Sequence, residues 1–492
     1  MILAAYDLSG IQSFIFSTNK LAEIIGASVV IHRALFDNIP ELLGEKADAW
    51  EQGEFSFVPG DTAKIVYIGG GNALMMFDTM EREKAFRYQL AERVFTESGG
   101  FVRLNGASIV LDEEKNLAEN QNSLMQKLRD SKKMPKSNVS CLGFPVTAMD
   151  NNNFEPLVLV DGERTTRSSH AKLQGRKRKS FMPDAFLPND KTKFALRFDE
   201  HRTEDGKNFI AVIHIDGNTM GMRIRSYAAS QKGDVVKALS GLKKLSVRIS
   251  GLYKDVLRDT IKAVYHNREG ELPIRPIIAD GDDITLMMES KKAFLFTKLF
   301  FENLETKGKI LFADEFVPTA AAGIAFVKTK FPFSVAYDIA EECCKNAKKQ
   351  TLLREGVAKS SIDFQVVYSG VSGSLSAMRK EYYMVDGNCL MQRPYVFDDS
   401  SPHAFNAFAS LAQKLRKADK DGSIAVSKLK GLRNAYGMSE KSAENYGQYI
   451  LAHANGIAER QIAEELARPF ENGKAVFFDC LDVWDVAWEE VE

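Results

Sequence analysis

The chain repeats itself. An apolar run, Ile2-Leu3-Ala4-Ala5-Tyr6, ends in Asp7, and a later pair of apolar runs flanks Gly69-Gly70-Gly71-Asn72. The same order returns when Phe209 to Ile215 ends in Asp216 and two further apolar runs flank Asp280-Gly281-Asp282-Asp283. Short apolar runs around a Gly/Asp/Asn tetrapeptide predict a β-hairpin with a tight turn. Each hairpin follows a strand and a helical stretch. After each come a further helix (about 79–98 and 290–307) and a strand (about 107–111 and 319–327). The order β-α-β-β-α-β is ferredoxin-like. The expected class is therefore α+β: two ferredoxin-like palm domains, at 1–112 and 206–370, joined by a helical and irregular region at 113–205 and followed by a C-terminal helical domain at 371–492. Periodicity predicts that last part, with helices at 404–417, 423–436, 439–454 and 457–468 and a tail bearing Trp484 docked on the core. In the linking region, 113–140 is expected to be helical and 141–205 irregular.

Composition narrows the classes. Apolar residues make up 45% and charged residues 27% of 492, typical of a globular protein and unlike a disordered or fibrous one. The net charge of −1 argues against a basic coat over the whole surface. The five cysteines, at 141, 343, 344, 389 and 480, form no CxxC pair, so neither a disulfide framework nor a four-cysteine zinc site is expected. No signal peptide and no apolar run of membrane-spanning length is read, and the expected location is the cytoplasm.

The repeat has a chemical consequence. In a ferredoxin-like sheet the first strand lies beside the second strand of the hairpin, so Asp216 is expected to approach Asp282 and Asp283. Carboxylates gathered at one sheet end repel one another unless a cation holds them. Oxygen-only ligands suit Mg²⁺ or Mn²⁺, which also bind substrate phosphates. Asp and Gly are equally ordinary turn residues; it is the expected neighbour Asp216 that favours a metal site. The helix from Ser334 to about Lys349 should run back toward this end and bring Lys345, Lys348 or Lys349 near the carboxylates. Lys348 is the choice carried forward as a triphosphate contact. In the first half the matching positions hold Asp7 and Gly69-Gly70-Gly71-Asn72, without the aspartates. Those glycines allow a phosphate to approach the backbone, and Ser9-Gly10 at the strand-to-helix turn supports nucleotide binding there. The basic stretch Arg164 to Lys179 is read as a flexible loop, either solvated or in contact with nucleic acid, RNA foremost, or a nucleotide.

Ile213-His214-Ile215-Asp216-Gly217-Asn218-Thr219-Met220-Gly221 with Asp280-Gly281-Asp282-Asp283 resembles the second palm domain of the large subunit of type III CRISPR effector complexes. Ala321 to Ala325, Phe331-Pro332-Phe333, Ala347-Lys348 and Arg393-Pro394-Tyr395 extend the likeness, and Asp7 to Phe16 with Gly69 to Asn72 resembles that family's first palm. The resemblance implies a palm-type nucleotidyltransferase that makes cyclic or linear oligonucleotides from ATP or other nucleoside triphosphates in antiviral defence. It implies catalysis and metal binding at Asp216, Asp282 and Asp283. It also implies nucleotide contacts at Gly217, Asn218 and Gly281 and, in the first palm, at Asp7, Ser9, Gly10 and Gly69 to Asn72. CRISPR-type protein subunits are the implied partners. Three departures stand out. The hairpin begins Asp280-Gly281 where the family has Gly-Gly; the family's HD nuclease domain is not read; and of its zinc cysteines only Cys141 remains. The competing reading is a non-catalytic scaffold that binds RNA and protein. A diguanylate-type cyclase fits the palm but not the hairpin, which lacks a Glu-Glu-Phe ending.

Overall fold

The computed structural model describes every residue except 48, 113, 134–145, 152–153, 178–185, 199–207, 232, 314–315, 369–373 and 489–492. The first sheet is built from β1 (Ile2–Ser9), β2 (Ala63–Gly69), β3 (Asn72–Phe77) and β4 (Arg103–Val110) in the order β2-β3-β1-β4. The second uses β5 (Phe209–Gly217), β6 (Ile274–Asp280), β7 (Asp283–Glu289) and β8 (Ala320–Lys328) in the equivalent order β6-β7-β5-β8. Both are the expected antiparallel arrangement, with the first strand beside the second hairpin strand. The fold is α+β, with two such sheets and a helical C-terminal part.

The second sheet continues further than a ferredoxin-like unit. β9 (Ser361–Val366) adds parallel to β8, and β10 (Tyr395–Val396) adds antiparallel to β9, giving six strands. β10 comes from the region read as the C-terminal helical domain, ahead of its first expected helix. Helices Phe405–Lys420, Val426–Tyr436, Glu440–Ala452 and Ile457–Leu466 follow, close to the expected spans, and Trp484 is buried in the tail.

β5 is apolar at almost every position because both of its faces are covered. Ala211, Ile213 and Ile215 pack in a core with helices Val235–Val264 and Ala293–Phe312. Ile210 and Val212 face a second core shared with the first palm, through Ile2, Ala4 and Tyr6. The two palms are thus packed on each other, and Phe16 lies 4.1 Å from Tyr337 between ring centroids.

The linking region is more ordered than expected. Leu117–Lys133 is helical, as read. Within 141–205, however, Val158–Val160 and Glu163–Thr165 form a hairpin, and Arg167–Lys177 is a helix packed on helix Leu21–Phe36. The basic stretch is therefore not a loop over its described part; Arg178 and Lys179 lie outside the described residues. Cys141, too, lies outside them.

Candidate active site

Asp216 stands at the end of β5, directly opposite Asp283, the first residue of β7, in the strand register. Asp282 sits in the turn, where Gly281 takes a left-handed φ of 64°. Its carboxylate lies over Gly217: a β-carbon at that position would stand 2.7 Å from Asp282 Oδ2 and 2.7 Å from the Tyr253 hydroxyl. Only glycine leaves room for this approach. The three predicted acidic residues therefore converge at one sheet end.

The lysine choice resolves to one residue. Small side chains let helix Phe333–Glu355 descend onto the sheet: a β-carbon on Gly323 would fall 1.9 Å from the Ala340 carbonyl, and Ala321, Cys344 and Ala347 pack together beneath. One residue on, Lys348 reaches the strand end, where its Nζ donates to Asp216 Oδ2 at 2.5 Å and to the Gly217 carbonyl at 2.8 Å. Lys345 pairs with Glu341 at 2.7 Å instead, one turn back along the helix.

The electrostatics are those of a crowded anionic site. Burial first, then the charge of Asp216, pushes Asp282 up to about 6. Burial and the charges of Asp216, Asp282 and Asp280 push Asp283 up to about 8. Asp283 Oδ1 is buried and accepts no hydrogen bond. His214 Nδ1 lies 3.6 Å from it and 3.0 Å from the Thr285 hydroxyl; burial holds His214 down to about 4, so the ring is neutral at pH 7. Among the described residues, no group of three or more His, Cys, Asp or Glu side chains is arranged, as it stands, to hold a metal ion. With Asp216 held by Lys348, the carboxylates stand as an open set. The orphaned Asp283 oxygen and the raised pKa values of Asp282 and Asp283 fit a divalent cation as their missing partner.

Other predicted residues are placed differently. Asn218 is buried, and its amide donates to the Thr319 hydroxyl at 3.0 Å and the Lys359 carbonyl at 3.1 Å, away from the carboxylates. In the first palm, Asp7 is opposite Asn72 in the register position that Asp216 and Asp283 hold in the second. It is engaged by Lys132 at 2.7 Å, a first-palm counterpart of the Asp216–Lys348 pair. Ser9 Oγ accepts from Asn105 Nδ2 at 2.5 Å. Gly10, Gly70 and Gly71 line a cavity of about 400 Å³ between the palms, together with Asp280 and Asp283. Gly10 precedes a helix of only six residues, Ile11–Phe16.

Sequence reasoning missed the bridge across that cavity. Gln12 Nε2 donates to the Tyr337 hydroxyl at 2.8 Å and to Glu341 Oε1 at 3.2 Å, joining the first palm to the lysine-bearing helix of the second. A lone Gln in a six-residue helix carries no signal of a partner 325 residues away.

Residues 209–358 match the second palm domain of the Cas10/Cmr2 family. The chain is Cas10-like. Its fold matches chains of Csm1–Csm4 cassettes solved in complex with cA4 (TM-score 0.53, 14% identity, covering 95% of this chain and 70% of that one). It also matches those solved with pppApA (0.54, 15%, 92% and 64%) and with one ATP (0.55, 15%, 98% and 68%). No curated protein matches the sequence. Identities this low speak for the fold alone. Among the described residues, no helix is long and apolar enough to cross a membrane.

Proposed function

We infer that this Cas10-like chain joins nucleoside triphosphates, ATP foremost, into linear or cyclic oligonucleotides, as a prokaryotic antiviral signal. The observation that carries the reading is the meeting of Asp216, Asp282 and Asp283 at one sheet end, with Lys348 directly above. A pure scaffold has no use for carboxylates that raise one another's pKa. The cassettes with a similar fold were solved with ATP, pppApA and cA4, and nucleotides of that kind suit a carboxylate-lined cleft only when cations accompany them.

In this reading a 3′-oxygen bonds to the α-phosphorus, the α–β phosphoanhydride bond breaks, and pyrophosphate leaves. Asp216, Asp282 and Asp283 would hold Mg²⁺ or Mn²⁺. When bound, the ion would supply Lewis-acid activation of the 3′-hydroxyl and neutralise charge on the leaving group. Lys348, freed from Asp216, would place a point positive charge on the triphosphate. The cavity between the palms would hold the acceptor nucleotide beside Gly10, Gly70 and Gly71, turning a bimolecular step into a nearly unimolecular one. Protein subunits of the CRISPR type are the proposed partners. The exposed Arg164, Arg167, Arg176 and Lys177 are the proposed RNA contact.

Incubation with each nucleoside triphosphate and Mn²⁺, with products resolved by mass spectrometry, tests the reading. Oligoadenylates and pyrophosphate are expected. Asp282→Asn with Asp283→Asn should abolish them in a folded protein, whereas Lys348→Ala should raise KM for ATP about tenfold, the loss of one charge-assisted contact. Absence of product from every triphosphate, with tight RNA binding, would favour the scaffold.

A further inference from the structure

The helix Val235–Val264 carries one polar atom toward the carboxylates that nothing in the site yet uses. Tyr253 is 1% exposed and is set in the core beside Leu252, Val256 and Leu257. Its ring lies 6.4 Å from that of Phe300 on helix Ala293–Phe312. Its hydroxyl is sealed from solvent and has no hydrogen-bond partner among the described residues. A buried hydroxyl left unpaired is costly, and native folds leave few of them. This one ends at the hairpin tip. The β-carbon that Gly217 lacks would stand 2.7 Å from the Tyr253 hydroxyl and 2.7 Å from Asp282 Oδ2, so the two oxygens border the same gap.

The backbone around the gap is held from both sides. The Gly217 N–H donates to the Asp282 carbonyl at 3.2 Å, and the Gly217 carbonyl accepts from Lys348 Nζ at 2.8 Å. Core packing fixes the tyrosine ring, whereas the Asp282 side chain has two torsions with which to turn toward the hydroxyl. We propose that Tyr253 is a positioning residue for Asp282. When Asp282 holds a divalent cation through one carboxylate oxygen, the Tyr253 hydroxyl donates to the other and fixes the direction of the carboxylate. Hydrogen bonds of this outer kind orient a ligand, and losing one typically costs about 10–100-fold in metal affinity. A neutral hydroxyl does this without adding charge to a crowded site. The role also gives glycine at 217 a purpose, since any side chain there would fill the gap across which the two oxygens meet. The proposal rests on the reading of Asp216, Asp282 and Asp283 as a metal site, but its test does not need catalysis.

Tyr253→Phe removes the hydroxyl and keeps the ring. Mn²⁺ binding is titrated by calorimetry without nucleotide, and the melting temperature of the metal-free protein is measured in EDTA. Absence of Mn²⁺ binding by the wild type would remove the metal site itself, and this role with it. Given wild-type binding, Tyr253→Phe should bind Mn²⁺ about tenfold more weakly, the low end of the range for such partners. Its melting temperature in EDTA should stay at or above that of the wild type, because an unpaired buried hydroxyl has gone. A residue that serves only the core would not weaken the metal while sparing the metal-free fold. Equal Mn²⁺ affinity would overturn the proposal. So would a loss of affinity with a lower melting temperature in EDTA, which would make Tyr253 a packing residue whose change loosens the fold. The wild type alone decides the case of a variant that does not fold. Saturation with Mg²⁺, which does not absorb, should shift tyrosine absorbance to longer wavelength, the signature of a phenol donating to a carboxylate. An unshifted spectrum would equally overturn it.

Discussion

At the residue scale the site is poised by charge that has no full partner. Lys348 offers one positive charge at Asp216, while the adjacent Asp282 and Asp283 at the hairpin tip have their acidities weakened to about 6 and about 8. The sign follows from the direction of these shifts. Carboxyls with folded pKa values above their unfolded ones favour the fold while protonated, and that contribution is lost as pH rises from about 4 toward 8. A divalent cation reverses the balance by favouring the ionised form. At pH 7 Asp283 is mostly protonated, so Mn²⁺ binding should release about one proton per chain, falling toward zero at pH 9. Calorimetry in two buffers of different ionisation enthalpy reads this number directly. Release that stays near zero at pH 7 would mean that Asp283 is not a ligand. Affinity for Mn²⁺ should rise with pH over the same interval.

At the scale of elements, the sequence announces what turn chemistry and apolar runs encode. The strand order, the opposition of Asp216 to Asp283, and the arrival of the lysine-bearing helix were legible because a Gly/Asp turn fixes the hairpin and a hairpin fixes its register. The helix Arg167–Lys177 was not legible. Its apolar periodicity is weak, and it is held by a close approach of two backbones: a β-carbon on Gly26 would lie 1.8 Å from the Lys172 carbonyl, and one on Gly175 2.4 Å from the Gly26 carbonyl. Lys172 itself is buried in this contact; it donates to the Ser17 hydroxyl at 2.7 Å, and burial lowers it to about 8. A sequence shows a Gly and a basic run; it does not show that each Gly faces the other. The contact predicts its own disruption. Gly26→Ala must push the helices apart and should destabilise the protein by about 2–3 kcal/mol, the upper part of the range for overpacking. Urea unfolding followed by circular dichroism measures it, and a loss under 0.5 kcal/mol would show that the two helices separate freely. The same reasoning explains β10, whose two residues are too few for any alternation to be seen.

At the scale of the whole molecule, the second palm is the middle layer. One face of its sheet shares a core with the first palm, through Ile210, Val212, Met287 and Val327. The other is continuous with the C-terminal helices, where Phe294 and Phe364 meet Phe405 and Phe408. The junction on that side is tied by charge as well as by apolar contact. Arg393, just before β10, is wholly buried and stacks on Phe364 at 4.4 Å. It reaches Asp479 at 2.7 Å and Asp482 at 3.2 Å in the tail, where Tyr395 also donates to Asp479 at 2.8 Å and Arg433 pairs with Asp482 at 2.8 Å. A buried pair contributes little against an apolar replacement of its own shape, but removing one partner strands the others. Arg393→Ala leaves Asp479 without its arginine and Asp482 with only Arg433, and should cost about 3–5 kcal/mol. Because the apolar core does not stop at the junction, the loss should be felt on both sides of it. In a Trp50→Phe background, emission from Trp484 and Trp488 reports the C-terminal part, while circular dichroism reports the whole chain. Their urea midpoints should coincide in the parent and shift together in Arg393→Ala. Emission that moves to lower urea ahead of the circular dichroism would instead make the C-terminal helices a separately folding unit, with the palms stable without them.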